Sequence, residues 1–322
     1  MRDDSAQHHG PGQNGPGQNR PGRGRRGKRR FDDDAPYFAK RSRHRVAMPS
    51  VETFDITDGL PEGDRWSTWD QPAAGERGPQ PYPPWLVTEL AAVDTELGIL
   101  KTGKEADVFL LRRGVPQTGP SCLLAAKRYR EAGHRMFHRD SGYLEGRRVR
   151  ESRASRAMAG RTAFGREAIA GQWAIAEFAA LVRLHESGIP VPYPVQVTGT
   201  ELLLEFIGDP DGTAAPRLAE TRPPGAQLRA LWEQLVDTVV TLAREGLAHG
   251  DLSAYNLLLH GDRLVMIDLP QVVDVVANPQ GAMYLDRDAA NVAAWFTARG
   301  LVDANPAPAD LPTLLRYEAR LD

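Results

Sequence analysis

Asp251 and Asn256 stand five residues apart in the segment 249–256, which reads HGDLSAYN. An aspartate at this position could orient or deprotonate an attacking hydroxyl, and a nearby asparagine could turn its amide oxygen toward a metal ion held on phosphates. A polar turn that uses both residues only as turn formers is the alternative. The spacing favours phosphoryl transfer, with Asp251 as a catalytic residue.

A further carboxylate, Asp268, ends the apolar segment 265–268, beyond Asn256. Mg²⁺ prefers hard oxygen ligands and keeps several waters, so one carboxylate, one amide oxygen and the phosphates of a nucleotide suffice to hold it. We therefore predict Asn256 and Asp268 as metal ligands, and ATP and Mg²⁺ as the cofactors.

Lys127 ends the apolar stretch 123–127, so its ammonium group is expected to point into a cleft rather than into solvent. A lysine in such a place can hold the α- and β-phosphates of a nucleotide if a carboxylate fixes it. Glu177 is the predicted partner, on the same helical face as Trp173, and Glu167 is the weaker alternative.

The segment 102–107 is predicted to be a turn between two strands, and its single glycine makes it a weak phosphate cradle by itself. It is not a Walker loop, because the spacing of glycine and lysine is wrong. Thr102, Gly103 and Lys104 are nevertheless predicted to cover the phosphates of a bound nucleotide. The order of this turn, the lysine, the Asp–Asn loop and the final aspartate makes the whole pattern specific.

Apolar periodicity predicts the elements that position these residues. Strands are predicted at 97–100, 107–111, 122–129 and 201–207, a hairpin at 256–260 and 263–267, and helices at 85–90, 172–184, 231–243 and 284–299. The Arg-rich stretch 130–165 is predicted to be a long mobile loop. Because strands come first and helices later, we predict an α+β fold with two lobes, a β-rich one at 95–204 and a mainly helical one at 208–322.

The N-terminal 50 residues differ in composition from the rest of the chain. The 322 residues carry a formal net charge of −2, but residues 1–50 contain 12 Lys and Arg against 5 Asp and Glu. Few apolar side chains are present there, so we predict a disordered basic tail at 1–50, followed by a linker with a short helix at 51–94. The tail could bind RNA through its phosphates, or it could be only a solvated segment.

One cysteine, Cys122, excludes an intramolecular disulfide and fits a reducing cytosol. No apolar stretch is long enough to cross a bilayer, and the polar N-terminus is unlike a secretory signal. We therefore expect a cytoplasmic protein with no membrane partner.

These motifs resemble those of the RIO-type atypical protein kinases, and of their RIO1-like branch in particular, from about residue 97 to about residue 301. The matching segments are 102–108, 126–127, 173–177, 188–192, 204–208, 215–218, 249–256, 267–268 and 285–288. The resemblance implies a bilobal, protein-kinase-like domain over 95–322 that binds ATP between its lobes.

The resemblance also implies roles that spacing alone does not. Adenine would bond to the Glu205 carbonyl and the Ile207 amide. Asp268 would bind the metal ion and could also accept the phosphoryl group, which would give an ATPase-like cycle and makes it a second candidate catalytic residue.

The chain departs from ordinary protein kinases at three points. Gly250 replaces the arginine that pairs with a phosphorylated activation loop, Leu269 and Pro270 follow Asp268 in place of Phe and Gly, and no Ala-Pro-Glu segment follows. We therefore expect a serine/threonine kinase that acts on a protein or on itself, without activation-loop control and without the usual peptide-binding apparatus.

Two other functions remain open at this point. A small-molecule phosphotransferase of the aminoglycoside type shares the His-Gly-Asp and Asn pattern. A nucleotide-gated assembly factor would use the basic tail to hold a ribonucleoprotein such as a ribosomal particle, and slow ATP hydrolysis would switch its grip.

Overall fold

A computed structural model of the protein describes residues 64–117, 119–130, 163–269 and 272–321. The strands in these ranges are β1 (Asp64–Trp66), β2 (Val93–Thr102), β3 (Ala106–Gly114), β4 (Ser121–Tyr129), β5 (Pro194–Thr198), β6 (Glu201–Glu205), β7 (Leu247–Ala248), β8 (Leu257–His260), β9 (Arg263–Met266) and β10 (Val273–Asp274). The helices are α1 (Ala163–Glu186), α2 (Gly225–Arg244), α3 (Gly281–Ala298) and α4 (Leu311–Glu318). The predicted tail at 1–50 and all but the ends of the predicted loop at 130–165 lie outside the described residues.

Six strands form one antiparallel sheet in the order β1-β2-β3-β4-β6-β5. Successive side chains of a strand point to opposite faces, so each strand serves two cores. In β6, Leu202 belongs to the core cluster that contains α1, and its neighbour Leu203 belongs to a second cluster on the other face. The sheet and α1 make up the β-rich lobe that the strand pattern predicted, with β2 and β3 longer than expected.

The second face of the sheet is covered by residues 67–92, which the sequence analysis placed in a linker. Trp69, Leu86 and Val87 are buried there together with Leu124 of β4. The Gln196 side-chain amide donates to the Thr68 carbonyl oxygen at 3.0 Å, which ties this segment to β5. In the described part of 51–94 the chain is therefore part of the packed domain, because it supplies the apolar side chains that one face of the sheet needs.

The short helix predicted at 85–90 is wrong. The backbone makes only a turn, in which the Leu86 amide donates to the Pro83 carbonyl oxygen at 3.0 Å, and then continues without regular structure. Leu86 and Val87, adjacent in sequence, are both buried against the sheet. An irregular segment can bury two successive side chains in this way, and this tertiary packing outweighs the local helical pattern.

Helices α2, α3 and α4 form the helical lobe around a core that includes Trp232 and Phe296, whose rings meet edge to face with centroids 5.1 Å apart. The predictions of helices at 231–243 and 284–299 are confirmed, and both helices begin earlier than predicted. The predicted hairpin is also confirmed, with β8 and β9 joined by Gly261 and Asp262. None of the described helices is long and apolar enough to span a membrane.

Candidate active site

Lys127 projects from β4 into the space between the sheet and the helical lobe. Its ammonium group lies 2.7 Å from Glu177 Oε1 and 3.0 Å from Asp268 Oδ1. The side chain of Lys127 is only 11% exposed and that of Glu177 only 2%. Burial lowers the pKa of Lys127, but the two carboxylates outweigh this effect and hold the pKa above its ordinary value. The structure thus brings together three residues that the sequence analysis placed in one site.

Glu177 occupies the buried face of α1 between Ala174 and Leu181, at the spacing that places residues three and four apart on one side of a helix. Its second carboxylate oxygen accepts a hydrogen bond from the Tyr129 hydroxyl at the end of β4. Burial and the neighbouring Glu177 carboxylate raise the pKa of Tyr129 far above its ordinary value, so the hydroxyl stays protonated and keeps donating. Tyr129 has no distinguishing motif in the sequence and was not predicted as a site residue, although it lies two residues beyond Lys127 and so on the same face of β4. Glu167, the alternative partner, lies where the structure does not describe side chains.

Asp268 follows β9 and has a positive φ of 65°, in the left-handed region that only a few non-glycine residues adopt. This backbone geometry accompanies a carboxylate that is bound on both oxygens, by Lys127 at Oδ1 and by Lys101 Nζ at Oδ2, each at 3.0 Å. Burial raises the pKa of Asp268, but the two ammonium groups outweigh burial and hold the pKa well below its usual range. Asp268 is therefore ionised at any physiological pH.

Lys101 was not predicted as a site residue, because a surface lysine in a strand has no distinguishing pattern. Its position depends on a register shift in β2 between Ile99 and Lys101. The shift pairs Lys101 with Val108 of β3, and Val108 pairs in turn with Lys127 of β4. Cross-strand partners share one face of a sheet, so this β-bulge aligns the two lysines on the face that meets Asp268.

The loop after β7 carries the predicted catalytic pair. Asp251 is exposed, and its backbone carbonyl oxygen accepts a hydrogen bond from Asn256 Nδ2 at 2.9 Å. The Asn256 carbonyl oxygen accepts from the amide of Ile267 at 3.0 Å, next to Asp268. Because Asn256 uses its amide nitrogen within the loop, Oδ1 is the atom that could bind a metal ion.

Asp288 of α3 fixes the backbone of this loop. Its carboxylate accepts from the Gly250 amide at 2.7 Å and from the Leu252 amide at 2.9 Å, on either side of Asp251. Burial raises the pKa of Asp288, against the opposite effect of the hydrogen bonds from these amides. The neighbouring Arg287 side chain donates to the Gly250 carbonyl oxygen. Asp288 was not predicted as a site residue, although an aspartate on the buried face of an apolar helix is a signal that a sequence can show.

The predicted phosphate-covering turn connects β2 to β3. Thr102 and Lys104 are exposed, and the Gly103 amide donates to the Ala106 carbonyl oxygen at 3.0 Å. A Cβ atom at Gly103 would lie 2.7 Å from the same oxygen, so this turn requires glycine. Hydrogen bonds hold the pKa of Asp107 below its ordinary value. The largest effect comes from the Arg130 side chain, and smaller effects come from the Gly103 amide and the Thr102 side chain.

The predicted adenine-binding residues lie at the end of β6, where the chain leaves the sheet. The Glu205 side chain accepts from the Tyr193 amide at 3.0 Å, and the Ile207 carbonyl oxygen accepts from the Ala215 amide at 3.0 Å. The intervening residues 208–214 fold back on themselves, and a Cβ atom at Gly212 would lie 3.1 Å from Leu110 of β3. The turn is thus held against the sheet, and it leaves the Glu205 carbonyl and the Ile207 amide at the border of the two lobes.

The chemistry of the donor set suits Mg²⁺. Among the residues that the structure describes, no three His, Cys, Asp or Glu side chains lie together as a metal site. A metal ion at this place would therefore rely on Asp268, the amide oxygen of Asn256 and the phosphates of a nucleotide. Such a sparse, all-oxygen set fits Mg²⁺, which binds through one or two carboxylates plus substrate phosphates.

A lysine of an antiparallel sheet that reaches an aspartate of the helical lobe, with a glutamate of the intervening helix behind it, defines the protein-kinase-like fold. A family model described as the RIO domain matches residues 125–307, which is more than half of the chain. The chain therefore belongs to the RIO family, as the sequence motifs predicted.

Two curated relatives, both named as RIO kinases, are similar in sequence to this chain, and a solved structure also aligns with it. The RIO-type serine/threonine-protein kinase Rio1 of Haloferax volcanii is 35% identical over 209 residues, which cover 65% of this chain and 65% of the relative. The serine/threonine-protein kinase rio2 of Schizosaccharomyces pombe is 29% identical over 206 residues, 64% of this chain and 52% of the relative. The Rio2 kinase structure from Chaetomium thermophilum aligns with 22% identity and a TM-score of 0.45 over 68% of this chain and 63% of that one. The chain thus spans less than two thirds of the length of each of these proteins.

Proposed function

We propose that the protein is an ATP- and Mg²⁺-dependent phosphotransferase, a serine/threonine protein kinase of the RIO type. The observation that carries the proposal is the contact of Lys127 with both Glu177 and Asp268, at 2.7 and 3.0 Å. The contact joins Lys127 of the sheet, a lysine placed to hold phosphates, to Asp268 of the helical lobe, a carboxylate placed to bind a metal ion. The name of the Haloferax relative, a RIO-type serine/threonine-protein kinase, supports the same activity.

Each residue of the site then has a distinct task. Lys127, held by Glu177, binds the phosphates of ATP, and Asp268 with Asn256 Oδ1 would hold Mg²⁺. Bound Mg²⁺ neutralises the charge that develops on the phosphoryl group. Asp251 is exposed, in the loop whose Asn256 carbonyl oxygen accepts from the Ile267 amide next to Asp268, and we assign it the task of orienting the acceptor hydroxyl and taking up its proton.

The adenine ring is proposed to bond to the Glu205 carbonyl and the Ile207 amide. Support comes from their position at the border of the lobes, with the turn 208–214 held against β3. The turn between β2 and β3 is proposed to cover the phosphates with Thr102, Gly103 and Lys104. It directly follows Lys101, which shares one face of the sheet with Lys127.

The acceptor of the phosphoryl group is a serine of another protein or of this chain. The serine oxygen forms the new bond to the γ-phosphorus, the bond to the β–γ bridging oxygen breaks, ADP leaves, and the hydroxyl proton passes to Asp251. Asp268 is the second proposed acceptor. Its ionised carboxylate oxygen could take the phosphoryl group directly, and water would then release inorganic phosphate.

A single-turnover experiment with γ-³²P-labelled ATP and Mg²⁺ tests the activity and sorts the acceptors. Acid-stable label on protein indicates a serine or threonine ester, hydroxylamine-labile label indicates an acyl phosphate such as the one proposed at Asp268, and labelled inorganic phosphate indicates water. Aminoglycosides, choline and sugars are included as small-molecule acceptors. The proposal requires label on protein or release of phosphate, and it is wrong if the protein binds no Mg-nucleotide or transfers label only to a small molecule.

A second proposal concerns the basic N-terminal segment. Residues 1–50 hold 12 Lys and Arg against 5 Asp and Glu, which favours binding of RNA or a ribosomal particle through phosphates. A cytoplasmic location is proposed together with this role. ATP hydrolysis would then switch the grip on the ribonucleoprotein. Deletion of residues 1–45 should weaken RNA binding and flatten its dependence on salt concentration, and unchanged affinity and salt slope would refute this role.

RIO family membership does not favour the aminoglycoside-type alternative.

A further inference from the structure

Four charged groups form one cluster at the centre of the site, and two of them face solvent. Lys127 and Glu177 have side-chain exposures of 11% and 2%, whereas Lys101 and Asp268 have exposures of 40% and 31%. Two ammonium groups and two carboxylates balance, so the cluster has no net charge as it stands. The exposed pair, Lys101 with Asp268 Oδ2 at 3.0 Å, is the part that an incoming ligand would meet first.

The fold places Lys101 at this position by a specific device. Without the β-bulge between Ile99 and Lys101, strict alternation along β2 would put Ile99 and Lys101 on one face. With the bulge, Ile99 pairs with Phe109 while Lys101 pairs with Val108, whose side chains lie on opposite faces of β3. The Ile99 side chain consequently lies on the face of the sheet away from the site, where it is 62% exposed. The Lys101 side chain lies on the opposite face and reaches Asp268. Bulges often re-aim a side chain beside an active site in this way.

The occupied Oδ2 atom creates a conflict with the proposed metal role of Asp268. A carboxylate oxygen that accepts from an ammonium group cannot bind a divalent cation closely without bringing two positive charges together. Lys127 cannot move aside, because Glu177 holds it in a buried pair. Lys101 can, because its long side chain is partly in solvent and Asp268 is the partner that the structure gives it.

We propose that Lys101 is a second phosphate-binding cation that holds Asp268 Oδ2 before the nucleotide arrives and transfers to the nucleotide phosphates when it binds. The inference rests on the proposed function, in which Asp268 binds Mg²⁺ beside those phosphates. The transfer frees Oδ2 and at the same time adds positive charge where the phosphates bring negative charge. Lys101 is thus a positioning residue for Asp268 as well as a ligand for the nucleotide.

Two opposite effects distinguish this role from a merely structural one. Loss of the Lys101 ammonium group should weaken binding of ATP when no metal ion is present, because one phosphate ligand is missing. The same loss should increase the factor by which Mg²⁺ strengthens ATP binding, because the metal ion then no longer shares the phosphates and Asp268 with a second cation. A structural role would change stability and leave this factor as it was.

The test compares wild type with Lys101→Met, Lys101→Arg and the control Arg112→Met. Arg112 is an exposed residue of β3, so its replacement removes one positive charge from the same sheet outside the site. ATP affinity is measured by calorimetry in EDTA and in saturating Mg²⁺, and thermal unfolding verifies that each variant is folded.

For Lys101→Met we expect ATP affinity in EDTA to fall about three- to tenfold, the size of one partly exposed charge-assisted hydrogen bond. The enhancement by Mg²⁺ should rise by at least about threefold, while Arg112→Met stays within about twofold of wild type in both respects. Lys101→Arg, which keeps the charge, should restore most of the EDTA affinity. Equal losses in both conditions, or values like those of Arg112→Met, overturn the role of Lys101 and leave the proposed function intact. A wild type that binds no ATP with Mg²⁺ would instead overturn the proposed function itself.

Discussion

The Lys127 ammonium group and the Glu177 carboxylate, 50 positions apart in the chain, form a buried ion pair at 2.7 Å. Tyr129 donates to the second Glu177 oxygen, and Asp268 takes a further hydrogen bond from Lys127. Each charged group of the pair therefore has a second hydrogen-bond partner, Asp268 for Lys127 and Tyr129 for Glu177. Such a pair is costly to break by removing one partner, because the other partner stays buried and uncompensated.

Replacement of Lys127 by Met should lower the free energy of unfolding by about 3 kcal/mol and abolish binding of Mg-ATP. The stability loss arises from the unpaired Glu177 carboxylate. Chemical denaturation and nucleotide titration measure the two effects. The double variant Lys127→Met with Glu177→Gln should be more stable than the sum of the single losses predicts, since it removes both charges. Strict additivity would show that the pair is not coupled in solution.

Replacement of Asp251 by Asn should reduce phosphoryl transfer by about 10²- to 10⁴-fold and leave ATP affinity and stability close to wild type. The Asp251 carboxylate is exposed, and the loop is held through the backbone carbonyl of this residue, which the variant retains. Single-turnover rates and nucleotide titrations test the two expectations. Asp237→Asn, an exposed position on α2, is the matched control. A wild-type rate in the Asp251 variant would remove this residue from the mechanism.

Replacement of Asp288 by Ala should lower turnover more than nucleotide affinity, because two backbone amides of the Asp251 loop lose their acceptor. The expected loss of stability is about 2 kcal/mol, since both amides are then buried without a partner. Measured kcat should fall while the KM for ATP changes little. A variant that loses ATP affinity and turnover in the same proportion would show that Asp288 acts on the whole domain rather than on the loop.

Replacement of Glu201 by Gln should reduce the pH dependence of stability. Burial raises the pKa of Glu201, but hydrogen bonds and charge from Arg65 and Arg128 outweigh this effect and hold the pKa below its ordinary value. A depressed carboxylate pKa stabilises the fold at pH values above about 4.3, the ordinary value for Glu, and this stabilisation is lost as the pH falls further. At pH 7 the variant should be less stable by about 1–2 kcal/mol.

Thermal unfolding of both proteins between pH 7 and pH 3 measures this difference. The difference should narrow steadily below about pH 4.3, because the unfolded wild type binds a proton at Glu201 at a higher pH than the folded form does. A constant gap across the whole range would mean that the ion pairs contribute nothing.

Replacement of Gly103 by Ala should weaken Mg-ATP binding, because the new methyl group meets the Ala106 carbonyl oxygen and forces the turn between β2 and β3 to open. We expect a loss of about tenfold, or 1.4 kcal/mol. Gly225→Ala is the control, since a Cβ atom at the start of α2 meets nothing within 4 Å. Equal affinities for ATP in the two variants would exclude the turn from the binding site.

Parts of the fold and site were readable from local sequence, and parts were not. The apolar strand before Asp268, the hairpin around residues 261–262 and the helical face of Glu177 all follow from periods of two or 3.6 residues. The packing of residues 67–92 was not readable in this way, because the apolar residues there have no regular period and are buried only through the sheet they cover. The helix predicted at 85–90 is wrong for this reason, since the local pattern contains no information on the packing of Leu86 and Val87 against the sheet.

The sequence by itself determined the order and spacing of the chemical groups, since Lys127, Asp251, Asn256 and Asp268 lie in short motifs whose local structure repeats from protein to protein. Only the tertiary structure decided which other side chains join them. Lys101 reaches Asp268 because one bulge changes the face on which a strand presents it, and Asp288 reaches the loop from a helix that follows in the chain. Strand register and helix packing depend on contacts between distant segments, and no local pattern in either segment records them.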